Sequence, residues 1–260
     1  MAESYIDIKI ADRVATVRMN RPEKHNAFDE RLIAELTQAF RSVGDDAAVR
    51  IVVLEAAGPS FSAGADLDWM KRMAGQARQE NERDALALAD LMGTIDRCPK
   101  PVMGLVQGAA FGGGVGLVAC CDIALAGSEA SFCLSEVRLG LIPAVISPYV
   151  AAAIGTRACR RYFLTAERFD AATAERLGLV HEVVPQAELD AARERMLGHL
   201  LKGGPAAQRA AKDLVARVAE SKIDEALTRD TAWRIAETRA SDEGKEGIAA
   251  FLEKRKPNWQ

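Results

Sequence analysis

Gly112, Gly113 and Gly114 stand in a row inside an uncharged stretch that begins at Pro101, and this run constrains the fold more than any other part of the chain. Val102–Val106 reads as an apolar strand; the glycines end it and open an apolar helical segment. Glycine lets a backbone approach a ligand with no side chain in the way. A helix start leaves its first N–H groups unpaired and partly positive, which suits an anion or a carbonyl becoming one. Glu136 follows beyond a further strand, so only the fold can bring its carboxylate to the glycines.

With 260 residues the chain can bury one large core, or a main unit with a helical appendage. The formal net charge is −3 with no block of basic residues, which gives no reason to expect a nucleic-acid or anionic-membrane partner. Cys98, Cys120, Cys121, Cys133 and Cys159 lie mostly in apolar segments without CxxC spacing, as reduced core residues of a cytoplasmic protein would. No cluster has metal-ligand spacing, and no metal is expected. Glu3 and Asp7 stand where a secretory signal would be apolar. The stretch Pro101–Cys121 matches a bilayer in length, yet glycines and Gln107 interrupt it, so it reads as a buried strand, turn and helix.

Along the chain, strands and helices alternate. Tyr5–Ile10 and Val14–Met19 suggest a hairpin around Asp12-Arg13. Leu32, Ile33, Leu36, Ala39, Phe40 and Val43 recur at helical spacing, and Val49–Leu54 is an apolar run fit for a buried parallel strand. A loop, Gly58–Asp66, leads into one long polar helical stretch to about Asp96. Asp122–Ala126 and Val180–Val184 read as strands, and Ser147-Pro148 as a helix start with the serine as N-cap. From Ala187 on the pattern is helix after helix. This alternation predicts an α/β class, with a core over 1–200 and an all-helical region over 201–260.

Chemistry in such folds sits where loops follow strands. Two loops qualify, the one holding Gly64-Ala65-Asp66 and the glycine cluster. If the preceding strands are parallel neighbours, the N–H groups of Ala65 and Gly113 can point at one oxygen, as in an oxyanion hole worth on the order of 3 kcal/mol per donor. The same glycines would serve equally well as tight strand-to-helix turns, and spacing alone does not choose. Gly114–Ala119 also satisfies GxGxxA, but Glu136 lies too many elements downstream to be the ribose-binding acid of a dinucleotide fold. GPSFSAG is not a nucleophile elbow, and no P-loop is present.

FSAGADL (Phe61–Leu67), GLVQGAAFGGGVGL (Gly104–Leu117), CDIALA (Cys121–Ala126) and SEVRLGLIP (Ser135–Pro143) resemble the crotonase, or enoyl-CoA hydratase/isomerase, superfamily. NRPEKHNAF (Asn20–Phe28) and GIAAFLEKRKPNW (Gly247–Trp259) fit the same pattern, so the likeness spans the chain. It implies a crotonase-type spiral of ββα repeats with a C-terminal helical region that packs trimers, and hexamers as dimers of trimers. It also implies an acyl-CoA substrate, with no separate cofactor, whose thioester oxygen is held by the amides of Ala65 and Gly113. Lys24, Asn26, Ala27, Ala63, Gly64, Asp66, Leu67 and Gly112 would line the coenzyme A side, and the stretch Met70–Arg83 with Tyr149 would meet the acyl tail.

One departure bears on mechanism. Hydratases of the two-glutamate type carry a glutamate where this chain has Gly116, and a second at Glu136. A single carboxylate can hydrate a double bond by taking a proton from water and returning one to Cα, or it can shuttle a proton along the acyl chain as an isomerase. SEVRLGLIPAVISPYV, RRYFLTAERFDA and GLVHEVV resemble bacterial hydratases of branched glutaconyl-CoA esters, notably the methylglutaconyl-CoA hydratases of leucine breakdown, whose substrate brings a distal carboxylate. Gly116 then either leaves room for that acyl end and for water or merely permits close helix packing. Phe132, Leu139 and Ile142 are expected to line an apolar pocket around Glu136; Arg72 and Arg138 are in principle partners for the distal carboxylate, but a surface ion pair is the expected role of either.

Overall fold

The computed structural model describes residues 4–219 and 221–260. Strands β1 (Ile6–Ala11) and β2 (Val14–Met19) form the expected hairpin, Ala11 pairing with Val14 across Asp12 and Arg13, both at positive φ. Helix α1 (Glu30–Asp45) is capped by Asp29, whose carboxylate accepts from the Leu32 N–H. Strand β3 (Ile51–Ala56) follows, then helices α2 (Leu67–Ala74) and α3 (Arg78–Asp96). The single helix expected here is therefore two. Gly75 closes α2 by donating to Arg72 O and Met73 O, and Ala77 is extended, which breaks the helical repeat.

Strand β4 (Val102–Val106) runs into the short β5 (Ala109–Phe111), helix α4 (Gly113–Cys120), β6 (Ile123–Gly127) and β7 (Ser131–Cys133). Next come α5 (Ser147–Thr165), β8 (Phe169–Asp170), α6 (Ala171–Leu177), β9 (Glu182–Val184) and α7 (Leu189–Leu200). Ser147 is the first residue of α5 and not its cap; Ile146 already has helical angles, and the Ser147 hydroxyl donates back to Ala144 O at 2.8 Å.

The main sheet has the order β1-β2-β3-β4-β6-β9, parallel throughout except for the opening hairpin. Because neighbouring residues of a strand face opposite ways, Ile51 and Val53 join Met103, Leu105 and Leu125 against Leu189, Ala192 and Leu197 of α7. Val52, Leu54 and Val106 face the other way into the larger core with α1, α3, α4 and α5. A second sheet, β5-β7-β8, is built from strands of two or three residues. Its inner face stacks Phe132 on Phe169, with ring centroids 5.5 Å apart.

Helices α8 (Pro205–Ala219), α9 (Glu225–Ala240) and α10 (Asp242–Leu252) complete the chain. Two cations tie this region to the sheet. Arg50 donates to the carbonyls of Leu201, Gly203 and Trp259, and Lys212 pairs with Asp122 at 2.7 Å. These helices bury few side chains and leave Trp233, Phe251 and Leu252 exposed. Mixed sheets followed by a helical C-terminal region agree with the fold that the resemblance implies.

Candidate active site

Strands β3 and β4 are parallel neighbours, so the loops that follow them leave the same edge of the sheet. Backbone bonds lock the two loops together. Ser62 N donates to Ala109 O at 3.0 Å and Phe111 N to Ser62 O at 2.9 Å. On the far side Phe28 N donates to Gly64 O at 2.7 Å, and Asp66 N to Phe28 O at 2.8 Å.

Two glycines make this approach possible. Gly64 has φ +88°, and a Cβ there would lie 3.1 Å from Phe111 O. Gly112 has φ +50°, and a Cβ there would lie 3.1 Å from Glu136 Oε1 and 4.0 Å from the Gly64 Cα. The two loops and the glutamate therefore converge on one spot. Gly112 N donates to Cys133 O, but among the described residues the N–H groups of Ala65 and Gly113 have no acceptor in the chain. Gly113 opens α4, where unpaired donors carry partial positive charge.

Glu136 begins a 3₁₀ turn, Glu136–Leu139, that closes on Gly140 at φ +72°. Its Oε2 is buried with no hydrogen-bond partner among the described residues, and burial pushes the carboxyl pKa up. The expected apolar surround is only partly present. Phe132 is fully buried, whereas Leu139 and Ile142 are 58% and 73% exposed, because the 3₁₀ turn and the segment after it run along the surface.

At Gly116 the structure decides between the two readings. A Cβ there would lie 2.3 Å from Ile146 Cγ2 and 3.2 Å from Met92 Cε, so the glycine permits close packing and leaves no room for an acyl end or for water. Ile146 occupies the space toward which a side chain at 116 would grow.

Other expected contacts separate into exposed and engaged groups. Lys24, Ala63, Ala65 and Leu67 are exposed around the loops, and Lys24 Nζ lies 3.3 Å from Asp68 Oδ2. Ala27 is buried. Asn26 is fully buried and all its side-chain bonds are internal: Oδ1 accepts from Arg21 N, and Nδ2 donates to Ala57 O and Ser60 O at 2.8 and 2.9 Å. It braces the loop and has no hydrogen atom left for a ligand. Asp66 also faces inward. It caps α2 through Asp68 N and Trp69 N and pairs with Arg21 at 3.1 Å. Burial works against its charge, but those two amides and the Arg21 guanidinium prevail and hold its pKa below the usual range.

Tyr149 is half-buried on α5. Its hydroxyl has Arg97, Asp96 and Cys120 for neighbours, at the opposite end of α4 from Gly113. Arg72 makes the surface ion pair expected of it, with both oxygens of Glu30 at 2.8 Å, while Arg138 is exposed with no ion pair among the described residues.

Sequence reasoning missed two residues that shape the site. Arg21 is buried and bridges Asp29 at 2.9 Å and Asp66 at 3.1 Å, stapling the Phe28 segment to the Gly64 loop. Ile146 fills the space beside Gly116. Arg21 sits in a polar stretch that reads as solvated, and nothing local marks Ile146.

A model of the enoyl-CoA hydratase/isomerase family matches residues 9–260. A crotonyl-CoA hydratase of Syntrophomonas wolfei is 33% identical over 261 residues, covering 100% of this chain and 99% of its own. Among solved structures, an enoyl-CoA hydratase from Shewanella pealeana superposes with a TM-score of 0.96 at 47% identity, covering 98% of this chain and 96% of its own. Pseudomonas aeruginosa AtuE superposes with a TM-score of 0.94 at 36% identity, covering 98% and 99%. The chain belongs to the enoyl-CoA hydratase/isomerase family. Among the described residues, no helix is long and apolar enough to cross a membrane.

Proposed function

We propose that the protein is a hydro-lyase that adds water across the double bond of an α,β-unsaturated acyl-CoA. The observation that supports this most is the convergence of Glu136 Oε1 on the Gly64 and Gly112 turns, beside two amides with no acceptor in the chain. In this reading the Ala65 and Gly113 N–H groups hold the thioester oxygen and stabilise negative charge as it develops there. Polarisation makes Cβ electrophilic. Glu136 takes a proton from water as the oxygen bonds to Cβ, and the carboxylic acid so formed returns a proton to Cα as the enolate collapses. A carboxylate raised by burial is a better base than an exposed one, and it leaves its proton close to Cα. Coenzyme A is part of the substrate, and no other cofactor or metal is required.

We further propose a branched glutaconyl-CoA ester, 3-methylglutaconyl-CoA of leucine breakdown foremost, as the substrate. The support is the resemblance across Ser135–Val150 and Arg160–Ala171, together with Arg138, an exposed cation two residues from Glu136 that has no ion pair among the described residues. Lys24, Ala63 and Leu67 are placed at the coenzyme A side on the strength of their exposure beside the Gly64 turn. Packing of three or six copies through the exposed apolar residues of α9 and α10, and a cytoplasmic location, complete the reading.

Steady-state rates on 3-methylglutaconyl-CoA and crotonyl-CoA test it directly. A kcat/KM at least tenfold higher for the former is expected, and equal values would remove the glutaconyl assignment. A single carboxylate also suits a Δ3,Δ2-enoyl-CoA isomerase, with Ile146 in place of a second acid. Incubation with a 3-enoyl-CoA in place of the conjugated ester separates the two: conversion to the 2-enoyl isomer faster than hydration would favour isomerisation.

A further inference from the structure

A cavity of about 740 Å³ opens between α5 and α6, lined by Arg157, Arg160, Arg161 and Arg176 over an apolar floor that includes Ile154 and Leu177. None of these residues belongs to the loops that carry Ala65, Gly113 or Glu136. Gly155, at φ +74° and ψ 159°, breaks α5, and the segment after the break presents Arg157, Arg160 and Arg161 at i, i+3 and i+4. That spacing puts three guanidiniums on one face, where like charges repel. Arg176 of α6 faces them across the opening.

The nearby carboxylates neutralise this charge only in part. Glu167 is held by Arg161 at 2.7 and 3.1 Å. Asp170 caps α6 through Thr173 N and is attracted by Arg176, and Glu175 accepts from Val183 N. Among the described residues Arg157 and Arg160 have no ion pair or hydrogen bond, and Arg176 reaches only the Thr173 hydroxyl at 3.2 Å. Arg157 and Arg160, without counter-ions among the described residues, and Arg176, which shares its charge with Asp170, therefore surround a space far larger than one phosphate needs. Guanidiniums bind phosphate oxygens in bidentate pairs and stack on planar rings, whereas isolated carboxylates would leave most of these donors unused.

We propose that this cavity is a second binding site, separate from the acyl-CoA site, for a small molecule bearing two adjacent phosphates. The chemistry is that of a diphosphate, and free pyrophosphate and a nucleoside diphosphate are its two sources. The proposal does not depend on the reaction assigned to Glu136.

Calorimetric titration of the intact protein with pyrophosphate, and separately with ADP, tests it. Saturable binding of one pyrophosphate per chain is expected, weakening as salt rises; ADP binding is counted for this site only where the arginine variants weaken it, because the acyl-CoA site also accepts an adenosine diphosphate. Tighter binding of ADP would show that the nucleoside is also recognised, and equal binding that the phosphates suffice. Arg157→Gln/Arg160→Gln/Arg176→Gln should weaken the affinity at least tenfold with an unchanged thermal midpoint, and Arg160→Gln alone should weaken it measurably if the triple variant does not fold. Absence of saturable pyrophosphate binding, or equal affinity in the variants, would overturn the proposal. So would a wild type that binds neither probe and a triple variant that loses oligomeric state, since the arginines would then face an acidic surface of a second copy.

Discussion

Gly112 and Gly116 lie one helical turn apart at the start of α4, and they are glycine for different reasons. Gly112 has a conformation that L side chains rarely adopt, and it faces a carboxylate. Gly116 has ordinary helical angles, and it faces Ile146. The first opens a site to a ligand, whereas the second closes the space next to it. A glycine-rich segment thus carries two separate instructions, and only the environment of each residue tells them apart.

Three single substitutions, and a fourth combined with the last of them, would break or sharpen this contrast. Glu136→Gln should have the largest effect, a loss of about 10²- to 10⁴-fold in kcat/KM with acyl-CoA affinity retained, measured by steady-state rates and by titration with a non-reactive thioester. Because burial raises the Glu136 pKa, the wild-type rate should fall as pH drops through that raised value, an acid limb above that of an ordinary glutamate. The sign for stability is opposite. A raised folded-state pKa contributes stability in full below the unfolded value and loses it as pH rises through the folded one. Glu136→Gln should therefore melt higher than wild type near neutral pH and at the same temperature in acid.

Gly112→Ala comes next. The new Cβ would press on Glu136 Oε1 at 3.1 Å and hold a positive φ, so activity should fall by about 10²-fold while stability drops by roughly 1–3 kcal/mol. Gly116→Ala should leave the chemistry of the folded protein nearly intact and cost about 1–3 kcal/mol in denaturant unfolding, through overlap with Ile146. Ile146→Val in the same chain should recover part of that cost. If Gly116→Ala instead abolished turnover without loss of stability, the two glycines would share one role.

How much of this was visible in the sequence depends on how local the signal is. The hairpin at Asp12-Arg13, the strand Val102–Val106 and the turn at Gly112 follow from period and turn chemistry within a few residues, and they appear where those rules put them. Strands β5, β7 and β8 are too short to show alternation and exist only because they pair with one another. The division of α2 from α3 was written in Gly75, but the polar run around it hid the break. At the site, motif resemblance named Ala65, Gly113 and Glu136, and the fold brings their loops to one edge of the sheet. Asn26 and Asp66, polar residues in a loop beside a proposed ligand, look like contacts until their partners are known, and those partners lie up to 45 positions away. The same holds for Ile146, which has no relation to Gly116 except contact.

That contact also limits the routes by which this protein could change. A glutamate introduced at position 116 would meet an occupied volume, so the larger residue at 146 would have to shrink beforehand, and trimming a buried isoleucine to alanine costs about 2–5 kcal/mol. Acquiring a second acid is thus a two-step journey whose first step loses stability before any acid is gained, and a population under selection for foldedness would tend to stay on the near side of it.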